Sequence, residues 1–283
     1  MNKDKQNYEN IAISYEFFPP KDFKSEKESF LLEVSKLSKC NPSLISLTCS
    51  ACGKNSENTD ITLCTLTENF DTQIMPHLTC ICNTKDDIDR RLETYKNLKC
   101  KKILALRGDE PTDGRECFGD FKHADELVKY IKSKTNFDIA VAGYPEGHFS
   151  SPSIESDLKY LQQKVNFGAT EIYTQMFFDN NKFYKFVDSL DKLKIKTPVI
   201  AGIMPVISYN QLSKMTQLAN ITIPNKFKEK LEKYKNTPSS IKEIGIEYTT
   251  KQCQDLILHG VRHLHFFTLN HAYSTLKILE GII

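Results

Sequence analysis

Eight short runs rich in β-branched and aromatic residues recur along this chain, separated by charged stretches of helical period. That alternation constrains the fold more than any other feature. The runs are "AISYEFF", "SLISLTC", "IMPHLTC", "KKILALRG", "DIAVAGYP", "ATEIYTQ", "TPVIAGI" and "RHLHFFTL". Stretches such as "KSEKESFLLEVSKL", "TKDDIDRRLETYKNL" and "ESDLKYLQQKVNFG" lie between them, with apolar residues spaced as on one helix face. A β-then-α alternation implies parallel strands. Eight units in 283 residues predict an α/β fold of the closed (β/α)8 type, a TIM barrel, rather than an open doubly wound sheet. The open sheet would call for a glycine-rich first turn, and the sequence has no GxGxxG. Before the last run, "IPNKFKEKLEKYKN" and "SSIKEIGIEYTTKQCQDLILHG" predict an extra helix ahead of the eighth strand. No Gly/Ser/Pro linker divides the chain, so residues 1–283 are expected to form a single domain.

Composition removes several function classes. A net charge of +2, with no basic stripe interleaved with aromatics, argues against nucleic acid as a partner. The polar opening "MNKDKQNYEN" and the lack of a long apolar run argue against a leader or a membrane span, so a cytoplasmic protein is expected. Nine cysteines are scattered along the chain. Cys49-x-x-Cys52 lacks a second pair at ligand spacing, so no metal is expected. The thiols are expected to be unpaired and packed as small hydrophobes.

In such a barrel the chemistry sits at the C-terminal ends of the strands. Those ends read Glu16-Phe-Phe-Pro-Pro, Thr48-Cys49-Ser50-Ala51, His77-Leu-Thr-Cys80, Arg107-Gly108-Asp109, Tyr144-Pro-Glu-Gly-His148, Thr174-Gln175, Gly202-Ile-Met-Pro205 and Thr268-Leu-Asn270. Ionisable and amide groups thus converge on one face. The prolines after Phe18 stop the first strand and leave Glu16 in its apolar end. Held among Tyr15, Phe17 and Phe18, a carboxyl loses hydration, and its neutral, proton-donating form is favoured. Asp109, beside Arg107 and Gly108, is expected to stay ionised, which divides the roles of the two carboxyls.

The motifs "EFFPPK", "ISLTC", "PHLTC", "ILALRGDEP", "VAGYPEGH", "DLKYLQQKVNFGATEIYTQMFFD", "GIMPV" and "HFFTLN" together resemble the methylenetetrahydrofolate reductase family in order and spacing. The resemblance implies a catalytic barrel of the bacterial type with non-covalently bound FAD. It implies reduction of 5,10-methylenetetrahydrofolate to 5-methyltetrahydrofolate in two half-reactions, supplying methyl groups for methionine synthesis. NADH is the expected donor, with NADPH the alternative. Glu16 matches the general acid, and Asp109 matches the carboxylate near the pyrimidine end of the flavin. Thr48, Ala51, His77, Arg107, Gly108, His123, Ala124, Tyr144, His148, Asp157 and Lys164 match positions that hold FAD. Thr48, Gln175, Tyr209 and His271 match positions that meet folate or nicotinamide. The small-molecule partners are then folate and a nicotinamide dinucleotide, and a homo-oligomer is expected. The chain ends soon after the eighth strand and its helix. This implies the absence of the S-adenosylmethionine-binding regulatory domain of eukaryotic members.

Several positions depart from the family pattern. Cys49 stands where an aromatic is usual, and His123 replaces a usual tyrosine. Tyr160 stands for an asparagine, Gln163 occupies a place where arginine occurs, and His271 replaces an arginine. Weaker flavin or folate affinity is expected from these changes. Two other readings compete. A metal- or phosphate-dependent barrel, such as an aldolase or isomerase, would carry a phosphate-cradling glycine-rich loop after the seventh or eighth strand, which "GIMPVIS" and "FFTLNHA" lack. A degenerate barrel would bind flavin or folate without turnover.

Overall fold

In the computed structural model, residues 11–49, 56–110 and 116–282 are described. Each predicted run contains one strand. They are β1 Ala12–Phe17, β2 Leu44–Leu47, β3 Ile74–Thr79, β4 Lys102–Leu106, β5 Asp138–Gly143, β6 Glu171–Thr174, β7 Val199–Ile203 and β8 His263–Phe267. All pairings are parallel and follow chain order, and β8 closes onto β1 to complete the barrel. Opposite β1, Ser14 is level with Leu44 and His265, and Glu16 is level with Ser46 and Phe267. That register fixes the height of Glu16 in the barrel wall.

Parallel strands covered on both faces read as continuous apolar runs, and successive side chains still point opposite ways. Tyr15 and Phe17 face outward and pack with Phe30, Val34 and Leu37 of helix α1 (Phe23–Ser38). The Phe17 and Phe30 rings meet edge to face at 5.8 Å. Truncating a buried phenylalanine such as Phe17 costs about 3–5 kcal/mol. The inward positions Leu44, Met75, Leu104, Ala140, Tyr173 and Ile200 form an apolar plug inside the barrel. Toward the N-terminal end of the strands, Lys102 Nζ and Glu171 Oε1 pair at 2.5 Å.

The connecting helices begin with local signals. The Thr84 hydroxyl accepts from the Asp87 N–H, and the Asp87 carboxylate accepts from the Thr84 N–H, which starts α3 (Lys85–Asn97) after α2 (Ser56–Asn69). Ser153 caps α5 (Ile154–Asn166), which follows α4 (Ala124–Lys134). After α6 (Asn180–Lys192), the β7–β8 connection holds α7 (Tyr209–Ala219), α8 (Asn225–Lys233) and α9 (Pro238–Leu258). The helical pattern expected ahead of β8 is therefore two helices, α8 and α9. Met176, Phe178, Met204, Val206, Leu212, Phe227 and Leu231 form a second apolar cluster with Ile241 of α9. The last helix, α10 (Ala272–Glu280), packs beside α9 and α1.

One expectation is corrected. Cys82, after β3, and Cys117, before α4, are joined as a disulfide. The reading of all nine thiols as unpaired fails because two loops distant in sequence meet over the barrel mouth. Among the described residues Cys40, Cys49, Cys64, Cys80, Cys100 and Cys253 are free thiols, and Cys52 lies outside them. Among the described residues, no helix is long and apolar enough to cross a membrane, and no group of three His, Cys, Asp or Glu side chains could hold a metal ion.

Candidate active site

Glu16 points into the barrel near its C-terminal mouth and is only 7% exposed. Its Oε2 lies 3.5 Å from His77 Nε2 and 3.7 Å from His265 Nε2. Burial raises the Glu16 pKa above the ordinary carboxylate range, and nearby His77 only partly offsets this. Burial also lowers the His77 pKa and takes His265 down to about 3. In all three groups dehydration favours the neutral form over the ion pair they would make in water. The expected dry glutamate is present, but its surroundings differ from the sequence reading. Tyr15 and Phe17 face the helices, and the histidines of β3 and β8 line the Glu16 side.

The end of β8 holds this part of β1 in place. Thr268 donates its hydroxyl (2.6 Å) and its N–H (3.3 Å) to the Glu16 carbonyl. The Asn270 amide accepts from the Phe18 N–H and donates to the Phe18 carbonyl, both at 2.9 Å. Leu269 and Asn270 adopt left-handed backbone, with φ of 52° and 62°, which turns that amide back onto β1. In the sequence Asn270 stands at a strand end with no role assigned to it. The signal was an asparagine in a turn directly after a strand.

A second group of predicted residues gathers around the ends of β4 and β5. His148 feels the charges of Asp157, Lys164, Arg107 and Asp109. Tyr144 packs edge to face on His148 at 4.6 Å and feels Asp157 and Asp109. His148 Nδ1 accepts from the Ser150 N–H at 3.2 Å, so the neutral ring carries its proton on Nε2. Lys164 donates to the neutral Ala142 carbonyl at 2.7 Å, and burial pulls its pKa down to about 8. Arg107 donates to the Lys122 carbonyl and pairs with Glu110 at 2.7 Å. Gly108 has φ of +84°, and a Cβ there would lie 2.8 Å from Ile81 Cγ2, so only glycine lets the chain turn this tightly. Asp109 is exposed at the rim.

Thr48 is buried at the end of β2, its N–H bonded to the Phe17 carbonyl at 3.0 Å. Cys49 sits beside Thr79, Sγ to Oγ1 at 3.8 Å. Gln175 follows β6, half-buried, its amide oxygen accepting from the Met176 N–H. Tyr209 opens α7, and its hydroxyl reaches Glu232 at 3.5 Å. His123 precedes Ala124 at the start of α4 and stacks on Tyr160 with centroids 5.6 Å apart. Two of the family departures therefore touch each other. His271 is exposed at the start of α10, its N–H donating to the Thr268 carbonyl at 3.0 Å, and it lies near Glu33. Ala51 lies outside the described residues.

A dinucleotide cofactor with a diphosphate suits this second group. Arg107, Lys164 and His148 supply N–H donors, with the Lys164 ammonium on the Ala142 carbonyl and the charges of Asp157 and Asp125 acting on it. Asp157 adds an acceptor for a ribose hydroxyl.

The fold and site define an α/β barrel enzyme class with a buried acid at the mouth and a charged group of Arg107, His148, Asp157 and Lys164 around the ends of β4 and β5. The methylenetetrahydrofolate reductase family model matches residues 2–282, and the chain belongs to that family. It is 35% identical over 286 residues to methylenetetrahydrofolate reductase (NADH) 1 of Arabidopsis thaliana, with 96% of this chain and 48% of that one covered. The chain thus spans about half the length of that relative. It is 32% identical over 272 residues to the 5,10-methylenetetrahydrofolate reductase of Pectobacterium carotovorum, covering 96% of this chain and 90% of that protein. Among solved structures, an uncharacterized protein from Clostridium thermocellum that binds two copies of 5-methyl-5,6,7,8-tetrahydrofolic acid shares the fold. Its TM-score is 0.64 at 14% identity, over 98% of this chain and 96% of that one.

Proposed function

We propose that this chain is a single catalytic domain that reduces 5,10-methylenetetrahydrofolate to 5-methyltetrahydrofolate, using bound FAD and a nicotinamide donor. The observation that carries this reading is Glu16, a carboxyl buried at the barrel mouth with His77 and His265 at 3.5 and 3.7 Å, where burial favours its protonated form. NADH as donor follows the Arabidopsis relative's name. Methyl supply for methionine synthesis follows from the product.

Because the product carries its methyl on N5, the bond that breaks is the one from the bridging carbon to N10. Glu16 gives its proton to N10 as that bond opens, and the electron pair of the bond stays on nitrogen. The bridging carbon is left as an iminium on N5. Bound FAD would supply the hydride, previously taken from NADH, that completes the methyl group. Arg107, Lys164 and His148 would hold the cofactor diphosphate, Asp157 a ribose hydroxyl, and Asp109 the pterin or the pyrimidine end of the flavin. Gln175 can donate and accept in turn, which suits a place that receives nicotinamide first and folate second. A protonated, positioned acid contributes roughly 10²- to 10⁴-fold to such a step.

An anaerobic visible spectrum of the purified protein tests the reading. NADH should bleach a flavin band, and methylenetetrahydrofolate should restore it. A colourless protein that stays silent after added FAD and NADH would overturn it.

A further inference from the structure

The interior of the barrel carries a polar thread that the proposed chemistry at the mouth does not use. On β8, His263 and His265 both point inward, two residues apart, and on β1 so do Ser14 and Glu16. Ser14 is fully buried, and its hydroxyl lies 2.8 Å from His263 Nε2 and 2.7 Å from His265 Nδ1. The other nitrogen of His265, Nε2, faces Glu16 Oε2 at 3.7 Å and Ser46 Oγ at 3.5 Å. Tyr173 packs edge-on against both rings, with centroids at 6.0 Å from His263 and 5.0 Å from His265, and fixes their planes. At the far end, His263 is only partly buried. It lines a cavity of about 680 Å³ at the N-terminal face of the barrel, rimmed by the exposed Asp188, Asp191, Lys196 and His259. The thread therefore runs from solvent at one end of the barrel to the acid at the other. One link, His265 to Glu16, is longer than a hydrogen bond, and a carboxyl swing of about 1 Å closes it.

We propose that His263, Ser14 and His265 form a proton path that reloads Glu16 from the N-terminal face after each turnover. The inference rests on the reading of Glu16 as general acid. Each turnover leaves Glu16 as a carboxylate, and one proton must return from solvent. The cavity lined by His263 gives solvent access on the face opposite the mouth, independent of what occupies the substrate place. A proton taken up at His263 Nδ1 releases the one on Nε2 to the Ser14 oxygen. Ser14 passes its own proton to His265 Nδ1, and His265 Nε2 gives one to Glu16. Each member gains one proton and loses one, so no charge is stored on the thread. The net change is the protonated acid, with both imidazoles in the opposite tautomer, which they reset before the next cycle. An imidazole between two partners and a serine hydroxyl are the side chains that can accept at one point and donate at another.

The experiment compares first and later turnovers of FAD-loaded wild type, Ser14→Ala, His263→Gln and Glu16→Gln by rapid mixing, with proton uptake followed by an indicator dye in weak buffer. In Ser14→Ala and His263→Gln the first oxidation of reduced enzyme by methylenetetrahydrofolate is expected at the wild-type rate, since Glu16 starts protonated. Later turnovers are expected at least 10-fold slower, with proton uptake lagging product and an enlarged solvent deuterium isotope effect. Added imidazole should restore His263→Gln, whose missing ring opens on the cavity. Later turnovers and proton uptake at wild-type rates in both variants would overturn the path, as would equal slowing of first and later turnovers. If Ser14→Ala does not fold, His263→Gln decides alone. Glu16→Gln separates the two ideas: a normal first turnover in that variant removes the acid itself. A lost one alongside unaffected Ser14→Ala and His263→Gln removes only the path.

Discussion

Glu16 and His77 face each other inside the barrel mouth, Oε2 to Nε2 at 3.5 Å, and burial pushes both toward their neutral forms. On the surface such a pair would ionise and attract. Here each loses more hydration than the partner's charge would return. A neutral carboxyl in this place is a proton donor, and the account of the reaction depends on that.

The buried histidines predict an acid-sensitive fold. Burial takes His263 and His265 to about 3, well below the ordinary 6.5. Below 6.5 the unfolded chain binds protons that the folded chain refuses, so their stabilisation is full above that value and falls as pH drops toward 3. Between pH 6.5 and 4.5, His265 alone should cost about 2–3 kcal/mol. His265→Asn should flatten that limb in denaturant melts recorded across the range. An unchanged pH dependence in the variant would contradict the assignment.

Lys164 is expected to matter for cofactor retention more than for folding. Its ammonium donates to a neutral carbonyl at 2.7 Å and sits among Asp157, His148 and Arg107. Losing one charge-assisted bond to a diphosphate costs about 1.5–3 kcal/mol. Lys164→Met should therefore release FAD roughly 10- to 100-fold more readily, measured by flavin fluorescence on dilution, with the melting temperature of the flavin-free protein nearly unchanged.

The Cys82–Cys117 bond joins two loops beside the cofactor residues across 35 positions. Cys117 is exposed and open to reductant. Titratable thiols should rise by two when the native protein is reduced. In the chain-entropy picture, opening the bond costs about 3–4 kcal/mol. Cys117→Ser should show a matching loss in denaturant unfolding.

His271 is exposed at the start of α10, where the family resemblance places an arginine. A permanent charge there should favour an anionic folate tail. His271→Arg should lower the KM for methylenetetrahydrofolate about 2- to 5-fold, in line with an exposed ion pair, and leave reduction by NADH unaffected. An unchanged KM would remove His271 from the folate site.

The barrel was legible in the sequence because strands buried on both faces must be apolar throughout, so all eight runs stand out from the helices between them. Glu16 was legible as a dry acid, though for the wrong neighbours, since the period of two sends Tyr15 and Phe17 away from it. Ser14, His263 and His265 were not recognised. Polar residues at alternate strand positions read the same whether they face water or the inside of a closed barrel, and only closure decides. The pairing of Cys82 with Cys117 was equally hidden, because it depends on where two loops meet.

The most direct test of the central claim is the pair of half-reactions in Glu16→Gln, followed anaerobically by stopped-flow at the flavin band. Glutamine keeps the shape and removes the transferable proton. Reduction by NADH should proceed within a few-fold of wild type. Reoxidation by methylenetetrahydrofolate should fall by about 10²- to 10⁴-fold, and in the wild type it should decline as pH rises through the elevated Glu16 pKa. Reoxidation of Glu16→Gln at the wild-type rate would show that the proton comes from elsewhere and that Glu16 is not the acid.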